Sequence, residues 1–259
     1  MDVKGKVVII TGASAGIGRA AALCFARAGA KTVLAARSAD QLANLAAEIA
    51  VLGQPCLAVP TDMCSQPAVE RLVARAVEHF GRVDILVNNA GQAAAGSVAE
   101  VNPEYFRRIL DLNIFGVVYA IQAVVPHMRQ AGGGLIINIS SMVSKMRLPG
   151  LGAYAATKAA LNMLSDTARV ELAPQGIKVT TVYPRMTATN FGRNSLGDQH
   201  MRSEQRSEQR SEPGSERRVG APAARPGIVI DTAEYVAVKI LLAAQTEVEE
   251  QFMDAPPSA

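Results

Sequence analysis

Tryptophan is absent from this sequence, aromatic residues amount to 4%, and cysteine and histidine occur three times each. His79, His127 and His200 are isolated, with no Cys, His or carboxylate partner at ligand spacing, so no metal site is expected. Cys24, Cys56 and Cys64 match neither a C-x-x-C motif nor a paired framework, and they read as the reduced thiols of a cytoplasmic protein. Unbroken apolar runs of membrane-spanning length are also missing. The N-terminal stretch MDVKGKVVIITG reaches a Gly-rich turn too soon for a signal peptide, so neither export nor a membrane association is expected. Charge of one sign is in little excess: 26 Lys and Arg against 23 Asp and Glu leave a net charge of +3, mixed along the chain, which argues against a nucleic-acid partner.

What is present is enough apolar material, 49% of 259 residues, to bury one large core, and a single domain spanning residues 1–259 is expected. Short apolar or β-branched runs stand at 7–10, 32–36, 56–60, 84–91, 135–140 and 179–183. Amphipathic stretches separate them at 17–28, 39–51, 66–79, 103–129 and 154–172, with a late helix at 232–244 and a final edge strand at 249–253. Continuous apolar strands of this kind suit a parallel sheet covered on both faces. The expected fold class is α/β, a Rossmann-type doubly wound parallel sheet flanked by helices.

One segment breaks the alternation. From Arg202 the chain reads RSEQRSEQRSE, then PGSERR and a Pro/Ala-rich stretch to Gly227. A helix there would stack Arg202, Arg206 and Arg210, and likewise Glu204, Glu208 and Glu212, at i,i+4 spacing. With no apolar residue to bury, a disordered insertion over about 195–226 is the expectation. The alternative, a basic arm for nucleic acid, is opposed by the Glu residues that nearly cancel the Arg.

Directly after the first strand comes Thr11-Gly12-Ala13-Ser14-Ala15-Gly16-Ile17-Gly18, opening an Ala-rich helix. In that position Gly12 permits a tight turn, Gly16 lets backbone approach a pyrophosphate, and Gly18 allows close helix-to-sheet packing, while N–H groups at the helix start meet the anion and Ser14 adds a hydroxyl. The second strand ends Ala35-Ala36-Arg37-Ser38. A carboxylate that would bond ribose hydroxyls is missing, and Arg37 offers a fork suited to a 2'-phosphate with Ser38 as a second donor, which favours NADP(H) while leaving NAD(H) open. The competing view of Arg37 is a solvated surface side chain.

Tyr154 and Lys158, in AYAATKAALNML, lie one turn apart on one helix face, where an ammonium stabilises a phenolate and, together with a positive nicotinamide, brings the phenol toward proton exchange near neutrality. Ser141 lies thirteen residues upstream of Tyr154 at the end of the LIINIS strand, where active groups of parallel sheets gather. Ser140, beside it, points to the other strand face and reads as structural.

Taken together, TGASAGIG, Asn88-Asn89-Ala90-Gly91, Asn113, Ser141 and Tyr154-x-x-x-Lys158, in this order, resemble the short-chain dehydrogenase/reductase family over roughly residues 5–190. The resemblance implies that Tyr154 is a general acid/base, that Lys158 lowers its pKa and binds the nicotinamide ribose, that Ser141 bonds the substrate oxygen, and that Asn113 holds a relay water. It further implies that Asp62 and Met63 contact adenine, that Asn89, Ala90 and Gly91 back the cofactor, and that the stretch with Pro184, Thr187 and Thr189 clasps the nicotinamide amide. The competing reading of Asn113 is a satisfied core amide, and that of Asn88 and Asn89 with Gly91 a plain turn.

The sequence departs from the family pattern in places. Arg185 replaces the usual Gly after Pro184, either pointing outward or altering nicotinamide binding, and Thr187 replaces a branched aliphatic residue. The charged repeat falls where the family forms its substrate lid. Met142, Met146, Leu148 and Leu151 are expected either to line an apolar substrate pocket or to pack as a loop core. The substrate expected is a small carbonyl or alcohol. The resemblance also implies a homo-oligomer, a dimer or tetramer, joined through the long helices, with Ala155, Ala156, Ala159 and Ala160 permitting close approach. A Ser141 nucleophile of the hydrolase kind lacks a His partner and a G-x-S-x-G turn. A nucleotide-binding sensor or scaffold without turnover is the competing functional class.

Overall fold

The β-branched runs form the strands they suggest. In the computed structural model, which describes residues 1–197 and 230–254, these are β1 (Val7–Thr11), β2 (Lys31–Ala36), β3 (Cys56–Pro60), β4 (Ile85–Asn88), β5 (Gly134–Ile139), β6 (Ile177–Tyr183) and β7 (Glu250–Phe252). They pair in parallel throughout, in the order β3-β2-β1-β4-β5-β6-β7. Around them run α1 (Gly16–Arg27), α2 (Ala39–Val51), α3 (Gln66–Phe80), α4 (Pro103–Leu110), α5 (Gly116–Gln130), α6 (Gly152–Leu172) and α7 (Ala233–Thr246).

Strand periodicity splits the core into two layers. Val8 and Ile10 of β1 face Phe25 of α1, Leu42 of α2 and Ile240 of α7, whereas Val7 and Ile9 face Leu72 of α3 and Val124 of α5. Each of these side chains is fully or almost fully buried, a contribution of about 1.5–3 kcal/mol apiece. The stretch 103–130 is the one described helical run long and apolar enough, by composition, to cross a membrane. Its Ala120, Val124 and Met128 are spent on the sheet.

That stretch is not one uniform helix. Between α4 and α5, Asp111–Phe115 form a π-helical turn in which the Gly116 N–H bonds Asp111 O. The turn sits where the helix passes the loop after β3: a Cβ on Gly116 would lie 2.8 Å from the Met63 carbonyl oxygen. Such turns tend to mark functional sites, and this one carries Asn113.

The charged repeat lies in 198–229, outside the described residues. Residues 195–197, expected within the same insertion, are instead tied down, with Leu196 N donating to Ala93 O (2.9 Å) and Ala95 N to Leu196 O (2.8 Å). Main-chain pairing fixes them where composition alone suggested a free coil.

Candidate active site

Sheet order reverses between β1 and β4, so the loops leaving these two strands part and leave a crevice at their carboxyl ends. Gly12 follows β1 at φ 67°, a left-handed conformation, and a Cβ there would come within 2.9 Å of the Ala90 Cα. A Cβ on Gly18 would lie 2.3 Å from the Gly12 carbonyl oxygen and 2.5 Å from Asn89 Nδ2, so α1 can approach the turn only with glycine there. Gly16 takes φ 53°, with Thr189 against it. No side chain caps α1 and no acid occupies its first turn. Its first N–H groups and positive dipole end therefore remain for an anion.

Thr11 and Asn89 stitch the crevice together. The Thr11 hydroxyl accepts from the main-chain N–H of Asn89 and of Ala90, at 3.0 Å each, and donates to Val87 O, while Asn89 Nδ2 donates to Thr11 O at 2.8 Å. Asn88 turns the other way, donating to buried Asn138, which in turn donates to Ser165. Asn88 and Asn89 are thus no plain turn, since each anchors a different layer.

The crevice opens as a cleft of about 360 Å³. Gly12, Ser14, Ala15, Gly16 and Ile17 line its middle. Exposed Arg37 and Ser38 stand at one end, beside Asp62 and Met63. Among the described residues Arg37 makes no ion pair. Asn89, Ala90 and Gly91 form the floor, and Pro184, Thr187 and Thr189 flank the other end, where Ser141, Tyr154 and Lys158 also meet the cleft. Two expected site residues do not line it. Gly18 is behind the turn, and Asn113 is fully buried behind the wall, its Oδ1 accepting from Gln92 N (3.0 Å) and its Nδ2 donating to Gln92 O (2.9 Å) and Thr157 Oγ1 (3.0 Å). Both Nδ2 protons are therefore spent on fixing Gln92 and α6.

At the Tyr154 end, Lys158 Nζ donates to Ile139 O (2.8 Å) and stands 5.9 Å from the Tyr154 ring centre. Burial lowers the Lys158 pKa to about 8, so at neutral pH the group is still largely an ammonium. Burial also pushes Tyr154 up to about 12, with the Ser141 hydroxyl pulling it back. Ser141 Oγ accepts from Val143 N (3.2 Å), which leaves its proton for another oxygen. Ser140 is held instead at 2.5 Å from Asn162 Oδ1, as a structural side chain.

Arg185 leaves the cleft, bonding Asp231 through two guanidinium nitrogens at 3.0 and 2.7 Å. Its backbone is not left-handed, so arginine is tolerated where the family uses glycine. Met142, Met146, Leu148 and Leu151 do not line the cleft, and Met146 and Leu148 are exposed. An apolar group beside Tyr154 is Phe191, which also lines the cleft and whose ring lies 5.7 Å from that of Tyr154. Phe191, Gln92, Asn194 and Thr11 were not singled out from sequence: each acts through a partner distant along the chain, and only the hydroxyl next to Gly12 carried a local signal.

The three cysteines are free thiols, and no cluster of three potential metal ligands occurs among the described residues.

An open parallel sheet with a glycine-lined crevice at its point of reversal defines a Rossmann-like fold. The chain belongs to the short-chain dehydrogenase family, whose model matches residues 6–200. It is 40% identical over 195 residues to an uncharacterised oxidoreductase of Methylorubrum extorquens, covering 75% of this chain and 77% of that one. It is 37% identical over 246 residues to the L-rhamnose 1-dehydrogenase (NAD(P)(+)) of Azotobacter vinelandii, covering 92% and 94%. Among solved structures, a 7α-hydroxysteroid dehydrogenase complexed with NADH and 7-oxo glycochenodeoxycholic acid superimposes with a TM-score of 0.81 at 28% identity, covering 97% of this chain and 93% of that one.

Proposed function

We propose that this oxidoreductase transfers a hydride between NADP(H) and a small alcohol or carbonyl substrate, with Tyr154 as the general acid/base. The observation that carries the reading is that one cleft holds Tyr154, Ser141 and Lys158 at one end, the Gly12–Ile17 turn in the middle and Arg37 at the other. This arrangement fits a dinucleotide. The turn supplies N–H groups for the pyrophosphate, Arg37 and Ser38 meet the 2'-phosphate, Asp62 and Met63 border the adenine, and Pro184, Thr187 and Thr189 border the nicotinamide. When bound, the nicotinamide supplies the hydride donor or acceptor. In carbonyl reduction the Tyr154 phenol donates its proton to the substrate oxygen, which the Ser141 hydroxyl holds, and in alcohol oxidation the proton returns. Lys158 holds an ammonium near the phenol at neutral pH, and Asn113 fixes Gln92 and α6 around it.

The test is a screen of NADPH and NADH absorbance against ketones and aldehydes, and of NADP⁺ and NAD⁺ against sugars, hydroxysteroids and simple alcohols. Turnover with at least one pair is expected. Nucleotide binding with no turnover anywhere in the panel would favour the sensor reading.

A homo-oligomer is part of the same reading. The π turn before α5 and the face of α6 leave Phe115 at 50%, Met163 at 67% and Val170 at 75% exposure, with exposed Ala156, Ala159 and Ala160 also on α6, an apolar surface that a second copy would cover. Size-exclusion chromatography with light scattering should give a dimer or tetramer, and Met163→Glu should shift it toward monomer. A monomeric parent protein at micromolar concentration would refute this.

A further inference from the structure

The loop that borders the catalytic end of the cleft is held from behind by one residue, Asp231, 46 positions beyond Arg185. Asp231 engages the loop three ways. Its carboxylate takes both the Nε and an Nη of Arg185, its N–H donates to Met186 O (2.8 Å), and its carbonyl accepts from Ala188 N (2.8 Å). The ion pair is shielded, with the Asp231 side chain 5% exposed and that of Arg185 23%. On the opposite flank the Pro184 carbonyl accepts from Met142 N (2.9 Å), directly beside Ser141. Thr187 Oγ1 closes the turn by donating to Arg185 O (3.0 Å), and Thr189 reaches Gly16.

We propose that Arg185 and Asp231 form a clasp that sets the position of the Thr187–Thr189 loop against the nicotinamide end of the bound cofactor. The clasp rests on the dinucleotide reading above. Arg185 touches neither cofactor nor substrate in this arrangement: it is a positioning residue, acting through the loop. A planar fork facing a carboxylate fixes direction as well as distance, which an aliphatic contact or a lysine does not. Because the same aspartate also pairs the backbone on both sides of Thr187, loosening the fork frees the loop it registers.

The experiment compares the full-length parent with Asp231→Asn, Arg185→Met, Arg185→Lys and the Arg185→Met/Asp231→Asn double variant, using NADPH and NADH as probes. Three readouts are taken: nucleotide Kd by fluorescence, the KM and kcat split, and amide exchange of the peptide containing Ala188. The clasp predicts that each neutralising single variant raises nucleotide Kd and KM by about tenfold, while kcat falls by a smaller factor. The double variant should lose less than the product of the singles, Arg185→Lys should retain part of the affinity, and the Ala188 amide should exchange faster in Asp231→Asn without nucleotide. Nucleotide affinity within about twofold of the parent in the singles, or fully multiplicative losses, would overturn the clasp. If a neutralising variant does not fold, Arg185→Lys decides: parental Kd and exchange overturn the proposal. Failure of the parent itself to bind either nucleotide refutes the dinucleotide reading and the clasp with it, whereas parental binding with unaffected variants refutes the clasp alone.

Discussion

Tyr154→Phe is expected to lower kcat by on the order of 10²–10⁴ while leaving NADPH affinity close to that of the parent. The substitution removes one oxygen and keeps the ring that packs 5.7 Å from Phe191, so the cleft wall should stand and only the proton route should be lost. Because burial holds the phenol up at about 12, it is protonated across the neutral range and ready to donate to a carbonyl. Accepting a proton from an alcohol requires the phenolate, whose fraction grows as pH rises toward that value. Alcohol oxidation should therefore accelerate through the alkaline range, whereas carbonyl reduction should gain nothing from the same change. Lys158 modulates this, since its charge is present below about 8 and is lost above. Initial rates in both directions as a function of pH, for parent and Tyr154→Phe, check the assignment. A Tyr154→Phe protein that keeps more than roughly a tenth of parental kcat would end the acid/base role.

Arg37→Asp should invert the nucleotide preference. A guanidinium fork on a phosphate makes charge-assisted bonds worth about 1.5–3 kcal/mol each, so NADPH affinity should drop about 10²-fold, with added repulsion from the new carboxylate. NADH has no phosphate to lose, and its ribose hydroxyls gain an acceptor, so its affinity should hold or improve. Arg37 is exposed at the cleft's end and makes no ion pair with the other described residues, so little stability should be lost. Calorimetric titration with both nucleotides gives the answer. Equal losses for the two would show that Arg37 does not read the phosphate.

Much of this was legible in the sequence because the signals are local. Six strand runs, the edge strand and the helix pattern follow from residue periodicity, and the glycines follow from a turn that only they can make. Gly18 was assigned to close packing on spacing alone, and the distances from its position to the Gly12 carbonyl and Asn89 give the reason. Other features were hidden. The π turn at Asp111–Phe115 leaves no mark in apolar spacing, since it arises where Gly116 must pass the Met63 carbonyl. The Met142–Leu151 segment, apolar and near Ser141, read equally as a pocket lining or a loop core, and the chain turns Met146 and Leu148 outward.

The sequence by itself therefore determined the elements and the glycine turn, and it singled out Ser141, Tyr154 and Lys158, which line one cleft, because helix and strand periodicity and chain-local spacing act within a few residues. Tertiary structure decided what depends on distant partners. It sent Arg185 to Asp231 rather than into the cleft, closed Asn113 on Gln92 and Thr157, and set the Tyr154 phenol high. The physical reason is the same in each case: burial and pairing depend on what the fold brings within a few ångströms, and a desolvated group answers to those neighbours rather than to its place along the chain.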